Sequence, residues 1–419
     1  NSTPERYPGR NNPIGRGFFA PNHPDMNHKN LRFFISAGEA SGDLHGADLV
    51  AELIRQSPEA EITFLGGDLM AKEAGHAPLV HYSEMAYMGC AGVLRHLPTI
   101  AAILKKAKEA ISETRPDALV LIDYPSFNLK LARHAKELGI PVFFYISPKV
   151  WAWKEWRVKE MRRYCDKILS ILPFEVDYFR DKGLEVEYVG NPSVAEVERK
   201  RESMPTRAEF NLFNGLDPNR PLLALVPGSR RGEIKGNLPI MVEAALRFPS
   251  LQPVIAAAPS IPMEFYRSLE IPCLEHIPVI ADATFPLMAH STVAFVTSGT
   301  ATLECALLGT PQVVCYRSSG SKLFYNLMSH VLKCPHVTLP NLIANGLNGE
   351  RYANEIVPEL LMHHCNPDEL SERLRRILPG NPGREKMMAG YERMKSKLTV
   401  ADAPAKAASV ILAGLNGKN

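Results

Sequence analysis

The carboxylate of Asp123 follows directly on an unbroken apolar run, A-L-V-L-I at 118–122. Such a run reads as a buried strand. The acid behind it is carried to the strand's open end, where a general base can reach a hydroxyl. Glu39 and Asp43 lie with Ser41 in a glycine-bearing turn, G-E-A-S-G-D at 38–43. A strand-end Asp can equally cap a helix or hold a turn, so these positions leave both a catalytic and a structural role open. Cations and small hydroxyls gather elsewhere. P-G-S-R-R-G-E at 227–233 offers Gly228, Ser229 and paired guanidiniums. Arg230 would bind a diphosphate through two parallel N–H bonds and offset the charge on a leaving nucleotide. A solvent-exposed basic turn is the plainer account of the same residues. In S-G-T-A-T-L-E at 298–304, Ser298, Gly299 and Thr300 begin a helix whose outward amides and dipole would favour an anion. Glu304 sits about one turn in, placed for a ribose diol, although an ordinary crossover turn would look alike.

These residues need a scaffold of strands that end in turns and pass into helices. The first half supplies it: strands at 31–37, 62–65, 118–122 and 142–146 alternate with apolar stripes at helical spacing, such as Leu44, Leu49, Leu53 and Ile54. Continuous apolar strands between helices imply a parallel sheet covered on both faces. Ligands bind such sheets beyond the strands' carboxyl ends, which gathers 38–43, 123–128 and 147–153 on one rim. Strands at 167–172 and 187–189 complete this half. A polar run at 196–207 reads as a linker, helical at its start. The second half repeats the pattern, with strands at 222–226, 254–258, 293–296 and 312–316. Segments 368–378 and 384–415 read as helices that pack back across the domains.

Composition excludes several classes. A chain of 419 residues, 45% hydrophobic and 22% charged, is ordinary globular protein with core enough for two or three domains. A net charge of +3 is too small to argue for nucleic acid. Seven scattered cysteines without C-x-x-C spacing argue against disulfides and a zinc site, and a reducing cytoplasm fits them. No apolar run is long enough to span a bilayer. Residues 1–25 lack the apolar stretch of a secretory signal and read as a disordered extension, with Met26 a candidate start. The segment M-A-Y-M-G-C-A-G-V-L at 85–94 is apolar without a clear period, either core or a patch that meets lipid. Trp151, Trp153 and Trp156 lie among Lys149, Lys154, Arg157, Lys159, Arg162 and Arg163. That mixture suits a lipid headgroup interface or a solvated basic helix.

In order along the chain, A-G-E-A-S-G-D (37–43), M-G (88–89), I-D-x-P-x-F-N (122–128), Y-x-S-P-x-V-W-A-W (145–153), L-P-F-E (172–175), G-N-P (190–192), P-G-S-R (227–230), S-G-T-A-T-L-E (298–304) and L-P-N-L (339–342) resemble the lipid-A-disaccharide synthases. The resemblance runs from Phe33 through the second domain. It implies an α/β GT-B fold, two Rossmann-like domains with parallel sheets facing each other across a cleft. The expected layout is a disordered extension at 1–29, an acceptor and lipid domain at 30–198, a UDP-sugar domain at 199–380, and returning helices at 381–419. It also implies an inverting, metal-independent transfer that needs no cofactor. UDP-2,3-diacylglucosamine and 2,3-diacylglucosamine 1-phosphate would give a β-1,6-linked disaccharide 1-phosphate and UDP. The enzyme would be peripheral to the cytoplasmic face of the inner membrane, with no nucleic-acid partner and with a homodimer left open.

Matched by motif, Asp123 is the expected base, with Glu39 beside it and Arg230 opposite. Gly228, Ser229, Ser298, Gly299, Thr300, Glu304 and Asn341 fall on the UDP side. Ser41, Asp43, Met88, Asn128, Trp151 and Trp153 fall on the acceptor and lipid side. The chain departs from the family pattern at Ser126, where an acid is usual, and at Gly92, where Glu is usual. Rival readings are a UDP-sugar transferase with another acceptor, a UDP-sugar epimerase of the same architecture, and a non-catalytic binder of nucleotide sugars or lipid headgroups.

Overall fold

Thirteen short strands, most of them largely apolar, form two parallel sheets among the residues described by the computed structural model. Those residues are 30–85, 93–152, 154–317, 336–347, 354–400 and 402–416, the side chains of 93–97 excepted. The expectations for 1–29, Tyr87, Met88, Gly92 and Trp153 lie outside them.

The first sheet comprises β1 (Arg32–Ala37), β2 (Glu61–Gly66), β3 (Val80–His81), β4 (Ala118–Ile122), β5 (Val142–Tyr145), β6 (Lys167–Ser170) and β7 (Val186–Tyr188), in the order β3-β2-β1-β4-β5-β6-β7. The second comprises β8 (Leu222–Val226), β9 (Gln252–Ala257), β10 (Val279–Ala281), β11 (Val293–Thr297), β12 (Gln312–Tyr316) and β13 (Glu359–Leu361). Its order is β10-β9-β8-β11-β12-β13. Every pairing is parallel. Strands β4, β8 and β11 are buried along their whole length, which explains their uninterrupted apolar sequences.

In each sheet the chain reverses its direction of progress at one place, between β1 and β4 and again between β8 and β11. Crevices open at such reversals beyond the strand ends. Register fixes what flanks them. Ala37 pairs with Ile122, so Glu39 and Asp123 emerge from adjacent strands. Val226 pairs with Val296, so 227–230 and 298–300 do the same in the second half.

Alternate residues of the first sheet face two cores. Phe34, Leu119, Leu121 and Phe144 pack on one side; Phe33, Ile35, Val120 and Phe143 pack on the other. The second core includes Ala407, Ala408, Val410 and Ile411, so the last helix, Ala403–Asn416, covers a face of the first sheet. The helix before it, Pro382–Lys395, stays with the second half, where Tyr391 Oη donates to the Thr310 carbonyl at 3.0 Å. Only one of the two C-terminal helices therefore crosses back.

The polar run at 196–207 is mostly helix. Pro192–Glu202 is capped by Asn191, which accepts from Ser193 N at 3.0 Å. Arg201 Nη2 then donates to the Leu307 carbonyl at 2.7 Å, tying this helix to the second half. Trp151, Leu172 and Val197 join the second half's core, and Leu31–Asn419 forms one compact unit. Gly190 sits at φ 99°, where a Cβ would lie 2.8 Å from the Val400 carbonyl oxygen, so only glycine lets the two crossing segments touch.

Candidate active site

Asp123 leaves β4 in the left-handed region, at φ 44°, and Tyr124 follows at φ 50°. Two consecutive non-glycine residues there are strained and must be held. Asn128, fully buried, is the tie. Its Nδ2 donates to the carbonyls of Asp123 (2.7 Å), Ile122 (3.2 Å) and Ser36 (3.3 Å), and its Oδ1 accepts from Ser36 Oγ at 2.7 Å. Asp123 N donates to the Ile146 carbonyl at 3.2 Å, and Tyr124 Oη to that of Met85 at 2.9 Å. The Tyr124 ring lies so close to Gly38 that a Cβ there would collide with it.

The Asp123 carboxyl is pushed above the usual carboxylate range by burial first and by the Glu39 charge second. A backbone hydrogen bond at Tyr124 and the Lys149 ammonium act in the opposite sense. A half-buried acid with a raised proton affinity, at a crevice, has the electrostatics of a general base. Glu39 is exposed at the start of the helix Ala40–Gln56 and accepts from Ser41 Oγ at 3.0 Å.

Several expected ligand contacts belong to the fold instead. Asp43 is 3% exposed. It accepts from the amides of Gly67 (2.6 Å), Leu69 (3.1 Å) and Met70 (3.2 Å), capping the helix Asp68–Ala74, whose own N-cap is a glycine. Asn128 likewise faces backbone, not solvent.

Trp151 is buried with its ring edge on Phe174, and its Nε1 donates to Glu175 Oε1 at 2.9 Å. It is not part of a headgroup surface. Glu175 also accepts from Ser147 Oγ (3.1 Å) and Ser170 Oγ (2.6 Å); burial raises its carboxyl and those three donors restrain the rise. Motif L-P-F-E thus ties the ends of β5 and β6 to the loop that carries Lys149. Met85 is buried too, and the apolar segment that follows it, 86–92, lies outside the described residues.

On the second half's rim, Gly228 takes φ 121° with the Glu233 side chain against it. Glu233 Oε2 accepts from Ser229 N (3.1 Å) and Arg230 N (3.3 Å), while Oε1 accepts from Arg230 Nη1 at 3.1 Å. The Ser229 and Arg230 amides of this turn are therefore occupied by an internal carboxylate, which also aims the largely exposed Arg230 side chain. Thr300–Leu308 has no side-chain cap at Gly299; Gly299 and Thr300 are exposed and Ser298 is half-buried, so this helix start is the open one.

The Glu304 carboxyl is pushed up to about 7 by burial and then by the Glu196 charge. Asn341 is fully buried. It accepts from the amides of Ile356 (2.8 Å) and Val357 (3.0 Å) and donates to the Val357 carbonyl and to Glu359 Oε1, both at 2.8 Å. It shapes the loop and does not face the crevice.

Asn237, which carries no motif, links three strand ends: Nδ2 reaches the Pro227 carbonyl (3.4 Å) and Thr297 Oγ1 (3.2 Å), and Oδ1 accepts from Arg317 N (2.7 Å). A polar residue at a buried position of an amphipathic helix was the only sequence signal for it. Among the described residues, no three His, Cys, Asp or Glu side chains are grouped to hold a metal ion.

The geometry has close company. Solved structures of the same shape include the UDP-GlcNAc 2-epimerase of Neisseria meningitidis bound to UDP-GlcNAc, with a TM-score of 0.58 at 12% identity over 91% of this chain and 99% of that one. The calicheamicin glycosyltransferase CalG4 gives a TM-score of 0.58 at 15% identity, covering 93% and 99%. At those identities the likeness establishes the GT-B fold alone. Sequence relatives say more. The lipid-A-disaccharide synthase of Myxococcus xanthus is 40% identical over 387 residues, 91% of this chain and 97% of its own. That of Geobacter sulfurreducens is 37% identical over 385 residues, 91% and 96%. With the family model for lipid-A-disaccharide synthetase matching residues 33–410, the chain belongs to the lipid-A-disaccharide synthase family, glycosyltransferases of lipid A biosynthesis.

Proposed function

We propose that the chain transfers 2,3-diacylglucosamine from its UDP conjugate to the 6-hydroxyl of 2,3-diacylglucosamine 1-phosphate, giving a β-1,6-linked disaccharide 1-phosphate and UDP. Asp123 takes the proton from the acceptor hydroxyl as its oxygen attacks C1 of the donor sugar. The bond from C1 to the diphosphate breaks on the opposite face, and its electron pair leaves with UDP. In-line displacement inverts C1 and requires base and leaving group on opposite sides of the reacting carbon. Arg230, aimed by Glu233, and the open helix start at Ser298, Gly299 and Thr300 offset the charge that builds on the diphosphate. Glu304 receives the ribose diol, and Glu39 supports Asp123 by raising its proton affinity.

Four acyl chains, two on each substrate, place the reaction at a lipid surface. The enzyme works from the cytoplasmic face of the inner membrane by adsorption, a reading supported by the absence of any helix long and apolar enough to cross a membrane among the described residues.

The observation that carries the reading is the raised, half-buried Asp123 held at the reversal point beside Glu39. Its test is Asp123→Asn with synthetic diacyl donor and acceptor, the disaccharide being read by mass spectrometry. Turnover falls by about a thousandfold while UDP binding, measured calorimetrically, is retained. Normal turnover in the variant removes Asp123 from the role.

A further inference from the structure

The residues around Ser126 hold a cationic group that the chemistry above does not use. Ser126 opens the first turn of the helix Pro125–Glu137, three residues after Asp123, and the N-cap, Tyr124, supplies no side-chain cap. Arg157, the first residue of the helix Arg157–Tyr164, reaches across and donates from Nη2 to Ser126 Oγ at 2.6 Å. Its guanidinium carbon lies 5.5 Å from the Trp156 ring centre, which fixes its direction from behind.

The acids nearby do not neutralise it. Glu155 is drawn away to Lys182 Nζ at 2.7 Å and Tyr178 Oη at 3.4 Å. Glu160, a turn further along the same helix, acts on Arg157 through space only. Among the described residues no carboxylate lies within ion-pair distance of Arg157. Burial holds both Lys154 and Arg157 below their ordinary proton affinities, and the Arg157 charge lowers Lys154 further. Lys154 also sits at φ 58°, so its backbone is strained into this neighbourhood. The Arg157 charge, partly desolvated and with no carboxylate beside it among the described residues, is stabilised by an anion.

We infer that Arg157, Lys154 and Ser126 form an anion subsite that takes the phosphate of the acceptor sugar. This rests on the reading of Asp123 as the base for that sugar's 6-hydroxyl. A hexopyranose carries its C6 hydroxymethyl and its C1 phosphate on the two carbons that flank the ring oxygen, so both groups lie on one side of the sugar within a few ångströms of each other. Asp123 lies just before the helix start and Ser126 in its first turn, three residues on, so one acceptor can present its hydroxyl to the first and its phosphate to the second. The planar guanidinium suits two phosphate oxygens and the Ser126 hydroxyl a third. The donor's diphosphate lies with the second half and does not compete.

A phosphomonoester on the acceptor and a phospholipid headgroup share this chemistry, so the assay is run both in neutral-detergent micelles and in vesicles containing anionic phospholipid. Wild type and Arg157→Gln are compared with two acceptors, 2,3-diacylglucosamine with and without its 1-phosphate. In micelles, wild type prefers the phosphorylated acceptor, and Arg157→Gln erases that preference by raising its KM about ten- to a hundredfold. Arg157→Lys recovers part of it. An unchanged preference in Arg157→Gln overturns the subsite, as does an equal loss with both acceptors or a loss confined to anionic vesicles. If wild type makes no disaccharide at all, the reading of the reaction falls. The subsite is then judged by phosphorus NMR of the phosphorylated acceptor: a shift with wild type that is absent with Arg157→Gln upholds it, and equal shifts overturn it.

Discussion

Replacing Asn128 by alanine separates the position of Asp123, the proposed base, from its chemistry. The side chain makes four contacts, one accepted from Ser36 Oγ and three donated to carbonyls. Two amide hydrogens shared among three carbonyls, plus the Ser36 bond, amount to three full hydrogen bonds at about 1 kcal/mol each. Against that loss, the left-handed pair at Asp123 and Tyr124 stores roughly 1–3 kcal/mol per residue, some of which relaxation returns. The net cost is about 2 kcal/mol of stability, read as a lower urea midpoint at unchanged slope. Relaxation also carries the carboxylate away from its place. A displacement of about 1 Å lowers turnover on the order of a hundredfold, whereas UDP affinity, which the proposed reading assigns to the other half, should be unchanged. An Asn128→Ala protein that loses the stability yet keeps its turnover would refute the claim that this tie sets the base.

Glu304 gives a pH signature. Its carboxyl stands at about 7 in the folded protein against an ordinary 4.5, so the stability it contributes is complete below 4.5 and is lost as pH rises through 7. The loss is about 3 kcal/mol; Glu304→Gln should flatten that part of the urea midpoint's pH profile, and an unaltered profile would exclude Glu304 as its source. Asp43→Ala strips the cap from three amides and should cost about 2 kcal/mol in thermal unfolding while the folded enzyme keeps its kcat/KM. Lost activity at full stability would return Asp43 to the substrate.

The alternation of apolar strands and helices was legible because a strand buried on both faces has no room for polar residues, as 118–122, 222–226 and 293–296 illustrate. Strand order was not, since it depends on contacts between distant segments. Without the order, the two reversal points that single out 38–43 with 123–128 and 227–230 with 298–300 stay hidden. Individual roles were hardest. Asp43, Asn128, Trp151 and Asn341 sit inside motifs, and a motif position looks the same whether its polar atoms meet substrate or an orphaned backbone group. Glu233 and Asn237 show the converse: polar residues of no evident purpose in sequence that hold the second half's rim together.

The chain passes between its halves twice, once at Gly190 and again near Val400, and the two strands of the crossing touch. Paired side by side, they behave as two pins of one door. Two adjacent crossings restrain twisting of one half against the other more than a single thread would, and a swing about the line through both pins is the motion they would leave. Such a swing would return the same lip of each sheet to the same opposing lip, which is what the proposed acid on one leaf and the proposed cation on the other would need to meet a short-lived charge without searching for each other.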